Sequence, residues 1–270
     1  MVNSKVVQGH QARKRFGQNF LSDDFYISKI VESIGAQECD HLVEIGPGLG
    51  AITEHLVTKA GKLDVVELDR DLIPRLEKKF AEQENFTIHQ SDALKFDFTQ
   101  LQSDPEEKLR IVGNLPYNIS TPLIFHLLRQ KHVIHDMYFM LQKEVVERLC
   151  AAPVTKQYGR LSVMAQYYCQ AAMLFVVPPG AFSPAPKVDS AIVCLKPYET
   201  IKNPVSDTDL LAKVVTAAFN QRRKTIRNSL KDWLSPEDFE TVGISPTERA
   251  ERLSLTDFIN ICQTIEARNI

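Results

Sequence analysis

Apolar and polar residues alternate in blocks over the first half of the chain. Short, nearly continuous apolar runs lie at 41–45, 63–68, 85–90, 109–114 and 135–142. Runs of this length bounded by turn residues are typical of buried strands. Segments with apolar residues at helical spacing separate the runs and cover 49–60, 70–83 and 120–130. Strand and helix therefore alternate, which predicts a parallel sheet with helices on both faces.

The pattern changes after residue 150. A helix and two further strands, joined by a proline-rich loop, are predicted within 160–177 and 190–198. A polar stretch at 199–207 then leads into helical periodicity that continues to the end of the chain. We predict two domains: an α/β domain over 1–200 with a Rossmann-like, mostly parallel sheet of seven strands, and a small all-helical domain over 201–270.

The composition is that of an ordinary globular protein. Apolar residues make up 44% and charged residues 24%, and no apolar run is long enough to span a bilayer. The first twenty residues are basic but lack the apolar block of a secretory signal. Five cysteines without a C-x-x-C pair disfavour a disulfide framework and structural zinc, and fit buried thiols in a reducing cytosol. We expect a cytoplasmic protein without a membrane span or a metal.

Positive charge is concentrated in two segments of a chain whose net charge is only −2. The segment 11–20 has three basic residues and no acid, and Arg222, Arg223 and Lys224 are consecutive within 220–231. Such clusters mark either phosphate contacts or a solvated helix face. The charge pattern alone leaves both interpretations open.

A glycine-rich turn follows the first predicted strand and opens a helix. Its glycines stand at 46, 48 and 50, unlike the G-x-G-x-x-G order that cradles a pyrophosphate, and Pro47 removes a backbone N–H that a phosphate needs. A ligand without phosphates fits this turn better. A dinucleotide-dependent oxidoreductase is the alternative that the spacing disfavours.

Four candidate binding residues stand where successive strands end. They are Gly46, Glu67, Asp92 and Asn114, which follow one another at separations of 21, 25 and 22 residues. Because the carboxyl ends of parallel strands meet at one edge of a sheet, we expect these residues to line one pocket. Glu67 is suited to accept hydrogen bonds from both hydroxyls of a ribose, and Asp92 to accept one from an adenine amine.

Together these residues resemble the S-adenosylmethionine-dependent methyltransferases of class I. The resemblance extends to the ribosomal RNA adenine dimethyltransferases over nearly the whole chain. Five segments carry it in the order of that family: RKRFGQNFL (13–21), VEIGPGLGAIT (43–53), GNLPYNIS (113–120), FSPAPKVDS (182–190) and FNQRRKTIRNSL (219–230). The second segment is shared with many methyltransferases, whereas the first, third and fourth are specific.

The resemblance implies a site for S-adenosyl-L-methionine and an RNA substrate. The cofactor residues that it implies are Asn19, Leu21, Gly46, Glu67, Asp92 and Asn114. The implied substrate is a pair of adjacent adenines in the 3′-terminal hairpin of small-subunit (16S) rRNA within a pre-30S particle, each dimethylated on its exocyclic amine. The basic cluster at 222–224 would then contact RNA phosphates. We expect a monomer that also takes part in small-subunit biogenesis.

The Asn-Leu-Pro-Tyr turn at 114–117 suits methyl transfer to an adenine amine, whose lone pair is delocalised into the ring. The side-chain oxygen of Asn114 and the main-chain carbonyl of Leu115 are expected to accept the two amine hydrogens, and these contacts strengthen as positive charge grows on the nitrogen. Tyr117 and Phe182 are expected to sandwich the flipped base. The alternatives are a plain strand-to-helix turn at 114–117 and a packing role for Phe182.

Two further functions stay open. A large-subunit rRNA adenine methyltransferase of the antibiotic-resistance type shares the fold and an Asn-x-Pro-aromatic turn, but Leu115 and the segment 182–190 favour the small-subunit enzyme. A non-catalytic ribosome assembly factor would keep the fold in order to bind RNA. The presence of Glu67, Asp92 and Asn114 argues against a complete loss of activity.

Overall fold

The structure, a computed structural model, describes residues 19–221 and 223–268 together with the backbone of two short strands near the amino terminus. Most of the basic segment 11–20 and the residue Arg222 lie outside the described residues.

The chain divides into two compact units. The first comprises Met1–Val146 and Ala172–Pro197, and the second comprises Glu147–Ala171 and Tyr198–Ile270. The boundary expected at residue 200 lies close to Tyr198, while the second unit also takes in the segment that begins at Glu147. The separate functions expected of the two domains stay predictions.

Seven strands agree closely with the predicted runs of the sequence, whereas four two-residue strands were not predicted. The strands are β1 (Val6–Val7), β2 (His10–Gln11), β3 (Phe20–Leu21), β4 (His41–Ile45), β5 (Lys62–Glu67), β6 (Phe86–Gln90), β7 (Leu109–Asn114), β8 (Ile134–Gln142), β9 (Cys169–Val177), β10 (Phe182–Ser183) and β11 (Ser190–Pro197). Seven of them form one sheet in the order β6-β5-β4-β7-β8-β11-β9. Neighbouring strands from β6 to β8 run parallel, and β11 runs antiparallel to β8. The predicted mostly parallel sheet of seven strands is confirmed.

Helices lie in the connections between the strands and in the chain that follows β11. They are α1 (Asp24–Ile34), α2 (Thr53–Leu56), α3 (Ile73–Lys79), α4 (Ser120–Arg129), α5 (Lys143–Leu149), α6 (Arg160–Tyr168), α7 (Thr208–Phe219), α8 (Ile226–Ser229), α9 (Pro236–Val242) and α10 (Leu255–Arg268). The prediction of a long helix over 49–60 is wrong, since α2 is a single turn. Three glycines with positive φ, +68° at Gly46, +60° at Gly48 and +79° at Gly50, hold the preceding chain in a turn instead.

One glycine allows two strands of the sheet to approach each other just before the Asn-Leu-Pro-Tyr turn. A Cβ atom at Gly113 would lie 2.6 Å from the carbonyl oxygen of Ile45 and 3.1 Å from Cδ2 of Leu115. Real side chains do not tolerate the first distance. Glycine at this position therefore lets β7 lie against β4 and sets where Asn114 leaves the sheet.

The second unit has a helical core of its own. Phe219 at the end of α7 and Phe258 in α10 hold their rings 5.8 Å apart, and the hydroxyl of Tyr158 donates to the carbonyl of Leu253 at 2.8 Å. The side chain of Asp207 caps α7 by accepting hydrogen bonds from two backbone N–H groups. Across the described ranges of both units, the helices are too short or too polar to cross a membrane.

Candidate active site

A cavity of about 500 Å³ opens at the carboxyl ends of β4, β5, β6 and β7. This volume falls within the range of small-molecule sites, roughly 300–1,000 Å³. All of its lining residues belong to the first unit. The candidate cofactor and catalytic residues among them are Asn19, Leu21, Gly46, Glu67, Asp92, Asn114, Leu115, Tyr117 and Phe182. The structure thus brings together residues that lie far apart in the sequence.

Glu67 ends β5 on the floor of the cavity. It is only 6% exposed, and its Oε1 accepts a hydrogen bond from the backbone N–H of Asp69 at 2.7 Å. Burial raises the pKa of Glu67 above its ordinary value, while hydrogen bonds from the N–H groups of Asp69 and Gly48 act in the opposite direction. The carboxylate is therefore fixed in place, with oxygen lone pairs left for a ligand hydroxyl.

Asp92 follows β6 at the same edge of the sheet. Its Oδ1 accepts from the backbone N–H of Leu94 at 3.0 Å, so the carboxylate helps to form the turn in which it stands. Asp92 and Leu94 both line the cavity. A carboxylate held by its own turn presents a defined acceptor to a ligand.

The side-chain amide of Asn114 is oriented by the segment that precedes α1. Its Nδ2 donates to the main-chain carbonyl of Asn19 at 3.1 Å. Because the nitrogen is engaged in this bond, the oxygen of the amide is the atom available to accept from a ligand. Asn19 was expected to lie beside the cofactor. In the structure its carbonyl also orients the side chain of Asn114.

The turn after Asn114 is anchored at three points. The backbone N–H of Leu115 donates to the carbonyl of Met140 at 3.2 Å, and the hydroxyl of Tyr117 lies 3.0 Å from Oγ of Ser190. Ser120 is the first residue of α4, and its Oγ donates to the carbonyl of Tyr117 at 3.1 Å. These bonds hold the ring of Tyr117 against the cavity.

Phe182, on the proline-rich loop, lines the same cavity. Residues of β3 and β10 pair antiparallel, with Phe182 beside Leu21 and Ser183 beside Phe20. Phe20, Leu21 and Phe182 all line the cavity and are nearly buried. The loop and the segment before α1 therefore join in one short two-stranded ribbon that forms part of the cavity wall, which the sequence pattern does not predict.

Four charged residues of the cavity wall were missed by the sequence analysis: Asp24, Glu44, Glu54 and Lys79. Glu44 lies two residues before the glycine turn and is 2% exposed. Nζ of Lys79 lies 2.7 Å from a carboxylate oxygen of Glu54 and donates to the carbonyls of Leu49 and Gly50 at 3.3 Å each. Lys79 thereby ties α3 to the glycine turn. Glu44 stands within the quoted methyltransferase motif, whereas no local pattern singles out Lys79.

The buried carboxyl of Glu44 makes a pH effect on stability expected. Burial raises the pKa of Glu44 from 4.5 to about 7; the hydrogen bond from Thr53 opposes this rise and the charge of Glu67 adds to it. A carboxyl group with a raised pKa resists ionisation in the folded state, so stability is lost as the pH rises from 4.5 towards 7. In the ligand-free protein, we expect this loss to be on the order of 3 kcal/mol relative to Glu44→Gln.

Urea unfolding of both proteins at pH 4.5, 6 and 8 measures this difference. The exposed Glu32 of α1 supplies the matched control, because Glu32→Gln should run parallel to the wild type at every pH. A difference between Glu44→Gln and the wild type that stays constant with pH would contradict the prediction.

The expected RNA-binding residues belong to the second unit. Arg223 and Lys224 are exposed and lie in the turn after α7, where the N–H of Lys224 donates to the carbonyl of Gln221 at 2.8 Å. Arg222, between them and Gln221, is outside the described residues. Their role in RNA binding stays a prediction. Within the described ranges, no three side chains of the metal-ligating types come together.

Comparison with known proteins gives a consistent result. The sequence model of the family described as ribosomal RNA adenine dimethylase matches residues 9–267. A protein of Saccharophagus degradans named ribosomal RNA small subunit methyltransferase A is 59% identical over 263 residues, which is 97% of this chain and 98% of the relative. These matches extend over both units.

Solved structures show the same architecture. A dimethyladenosine transferase from Plasmodium falciparum superposes with a TM-score of 0.80 at 25% identity, covering 93% of this chain and 98% of that one. The 23S rRNA methyltransferase ErmE gives a TM-score of 0.72 at 23% identity, covering 92% and 100%, which shows a shared fold alone. The family match over nearly the full length and the closely related sequence establish that this chain belongs to the ribosomal RNA adenine dimethylase family.

Proposed function

We propose that this protein transfers methyl groups from S-adenosyl-L-methionine to the exocyclic amines of two adjacent adenines in the 3′-terminal hairpin of 16S rRNA. Each adenine would become a dimethyladenosine, within a pre-30S particle in the cytoplasm, and the enzyme would act as a monomer that also serves small-subunit biogenesis. The observation that carries the proposal is that the oriented amide of Asn114 and the carboxylate of Glu67 line one cavity. The identity with a relative named for the small subunit supports the choice of substrate.

The residues of the cavity fit this methyl donor. Glu67 offers carboxylate oxygens to ribose hydroxyls, and Asp92 offers one to the adenine amine of the donor. The glycine turn at 46–50, which contains a proline, suits a ligand without phosphates. When bound, S-adenosyl-L-methionine supplies a methyl group already activated by its sulfonium charge.

The remaining work of catalysis is alignment of the amine. Tyr117 and Phe182 would hold the flipped adenine between two rings, in the manner by which aromatic side chains stabilise unstacked bases. The amide oxygen of Asn114 and the carbonyl of Leu115 would accept the amine hydrogens and turn the nitrogen lone pair towards the donor. Both acceptors gain strength as the nitrogen becomes positive, so they act on the transition state more than on the ground state. The surplus proton leaves to water.

A methylation assay tests the proposal. The purified protein with isotopically labelled S-adenosyl-L-methionine is expected to modify immature small subunits, and mass spectrometry of the digested RNA should reveal dimethyladenosine at two adjacent positions. Activity confined to naked 23S rRNA would replace the proposal by the large-subunit alternative. Cofactor binding without any transfer would favour the assembly factor, and tight binding of NAD instead would favour an oxidoreductase.

The basic cluster of the second unit gives a separate prediction. Replacing Arg222, Arg223 and Lys224 by glutamate is expected to weaken binding to small subunits and to flatten its dependence on salt, because each lost phosphate contact lowers the slope of log K against log salt by roughly 0.7–0.9. Filter binding between 50 and 300 mM KCl measures the slope. Affinity for S-adenosyl-L-methionine should not change, and an unaltered slope would assign the cluster to a solvated surface.

A further inference from the structure

Phe25, the second residue of α1, holds a large aromatic ring in water. Its side chain is 66% exposed. The helix start beneath it is well fixed, since Oδ1 of Asp23 accepts from the backbone N–H groups of Phe25 at 3.0 Å and Tyr26 at 3.3 Å. A ring so exposed adds little to folding, because the hydrophobic gain depends on burial. Folding alone therefore gives little reason for an aromatic residue at this position.

A cation is held beside this ring. Nζ of Lys29, one helical turn further on, lies 5.9 Å from the ring centroid of Phe25 and 4.3 Å from that of Phe175 in β9. The ring of Tyr26 meets that of Phe25 edge-on at 5.2 Å. Aromatic faces combined with a cation are the usual means by which proteins bind unpaired nucleotides.

Phe25 stands in the sequence among residues that line the candidate active site, although its own side chain is not part of the lining. Leu21, Ser22, Asp24 and Ile27 line the cavity, so residues on both sides of Phe25 in the sequence contribute to its wall. Phe25 and Lys29 are four residues apart and share one side of α1. An RNA strand that delivers a base to the cavity has to pass over its rim.

We propose that Phe25 and Lys29 bind the nucleotide adjacent to the target adenine. The ring of Phe25 stacks on the flanking base, which loses its neighbour when the adenine flips into the cavity, and the ammonium group of Lys29 pairs with a phosphate. This inference rests on the proposed function, because it requires a flipped adenine in the cavity.

Charge favours RNA over an apolar protein surface at this position. Met173, Leu174 and Val176 in β9 are also exposed, so an apolar partner is the rival occupant. An apolar partner over Phe25 would bury the ammonium of Lys29, whose contacts within the described ranges are aromatic rings, and an unpaired buried charge is costly. An RNA nucleotide offers both partners, since its phosphate can pair with the ammonium group of Lys29 and its base can stack on the ring of Phe25.

Variants of Phe25 separate stacking from simple packing. We expect Phe25→Ala and Phe25→Leu each to lower kcat/KM on immature small subunits about tenfold, equal to ~1.4 kcal/mol, while Phe25→Trp keeps the wild-type value. Affinity for S-adenosyl-L-methionine should be the same in all three variants. Full activity of Phe25→Ala would overturn the inference, and rescue by leucine would assign the ring to an apolar protein contact.

Charge reversal examines the phosphate contact. Lys29→Glu is expected to weaken RNA binding and to lower its salt slope by about one. Lys59→Glu is the matched control, since Lys59 is exposed and stands between α2 and β5, near the opposite end of the strands from the cavity. Equal slopes for the two variants would contradict the assignment of Lys29.

Crosslinking identifies the occupant directly. With p-benzoylphenylalanine in place of Phe25, irradiation of the complex with small subunits should join the protein to RNA, and reverse transcription should stop beside the methylated adenines. The same residue in place of the exposed Val154 is the control. A crosslink to a ribosomal protein would overturn the inference. Because the wild-type protein is tested for methyl transfer in parallel, failure of the proposed function itself is recognised separately.

Discussion

Replacing Asn114 by alanine is expected to leave the fold intact and, at saturating S-adenosyl-L-methionine, to reduce the rate of methyl transfer by roughly ten- to a hundredfold or more. The basis is the loss of one hydrogen bond to a nitrogen that becomes charged, and such bonds are worth ~1.5–3 kcal/mol. The amide is held by the carbonyl of Asn19, so its oxygen is already aligned before substrate arrives. Preorganised acceptors lower the barrier because they need not be reoriented during reaction.

Single-turnover kinetics with saturating S-adenosyl-L-methionine measures this effect on the transfer step itself. Asn114→Asp keeps acceptor oxygens but loses the bond to Asn19, and we expect it to retain much more activity than Asn114→Ala. Asn118→Ala, which removes an exposed amide from the same turn, is the matched control and should change the rate far less. Near-normal transfer by Asn114→Ala would remove Asn114 from the mechanism.

The second large effect is expected at Glu67. Glu67→Ala should weaken binding of S-adenosyl-L-methionine about a hundredfold, because two hydrogen bonds from ribose hydroxyls to a carboxylate are lost, each worth ~1.5–3 kcal/mol before the relief of desolvation is subtracted. Isothermal titration calorimetry measures the affinity. The thermal stability of the ligand-free variant should be measured as well, because the substitution also removes the acceptor of the N–H of Asp69.

Glu54→Ala provides a matched comparison for Glu67. Glu54 also lines the cavity, but its carboxylate is half exposed and pairs with Lys79. Surface pairs of this kind contribute little, ~0–1 kcal/mol, so its removal should alter cofactor affinity only a fewfold. If Glu67→Ala binds S-adenosyl-L-methionine as tightly as Glu54→Ala does, the prediction that Glu67 contacts the ribose is wrong.

Local sequence pattern was sufficient to predict the frame of this site. The pattern of apolar residues and the turn residues located the strands, and a parallel sheet necessarily brings the carboxyl ends of its strands to one edge. Gly46, Glu67, Asp92 and Asn114 could therefore be assigned to one pocket before any coordinates were available. The glycines of the turn were also informative, although their positive φ shortened the following helix to one turn.

Contacts between distant segments were not accessible in this way. The bond from Asn114 to Asn19 joins residues 95 positions apart, and the contact of Tyr117 with Ser190 joins residues 73 positions apart. Such pairs depend on how the connections cross the sheet, which periodicity does not encode. The contacts of Lys79 were likewise not predictable. Nothing in the local sequence distinguishes this lysine, and it acquires its partners only when α3 packs beside the glycine turn.

Forming a dimethylated amine consumes two donor molecules in succession, so the spent molecule has to be exchanged at the cavity. The two-stranded ribbon of β3 and β10 that lines the cavity consists of two residue pairs, Phe20 with Ser183 and Leu21 with Phe182. Its hydrogen bonds contribute only ~1 kcal/mol each, but Phe20, Leu21 and Phe182 are nearly buried, so separating the two strands would also expose apolar side chains at a cost of roughly 1.5–3 kcal/mol each. The ribbon is therefore expected to stay in place while the donor is exchanged.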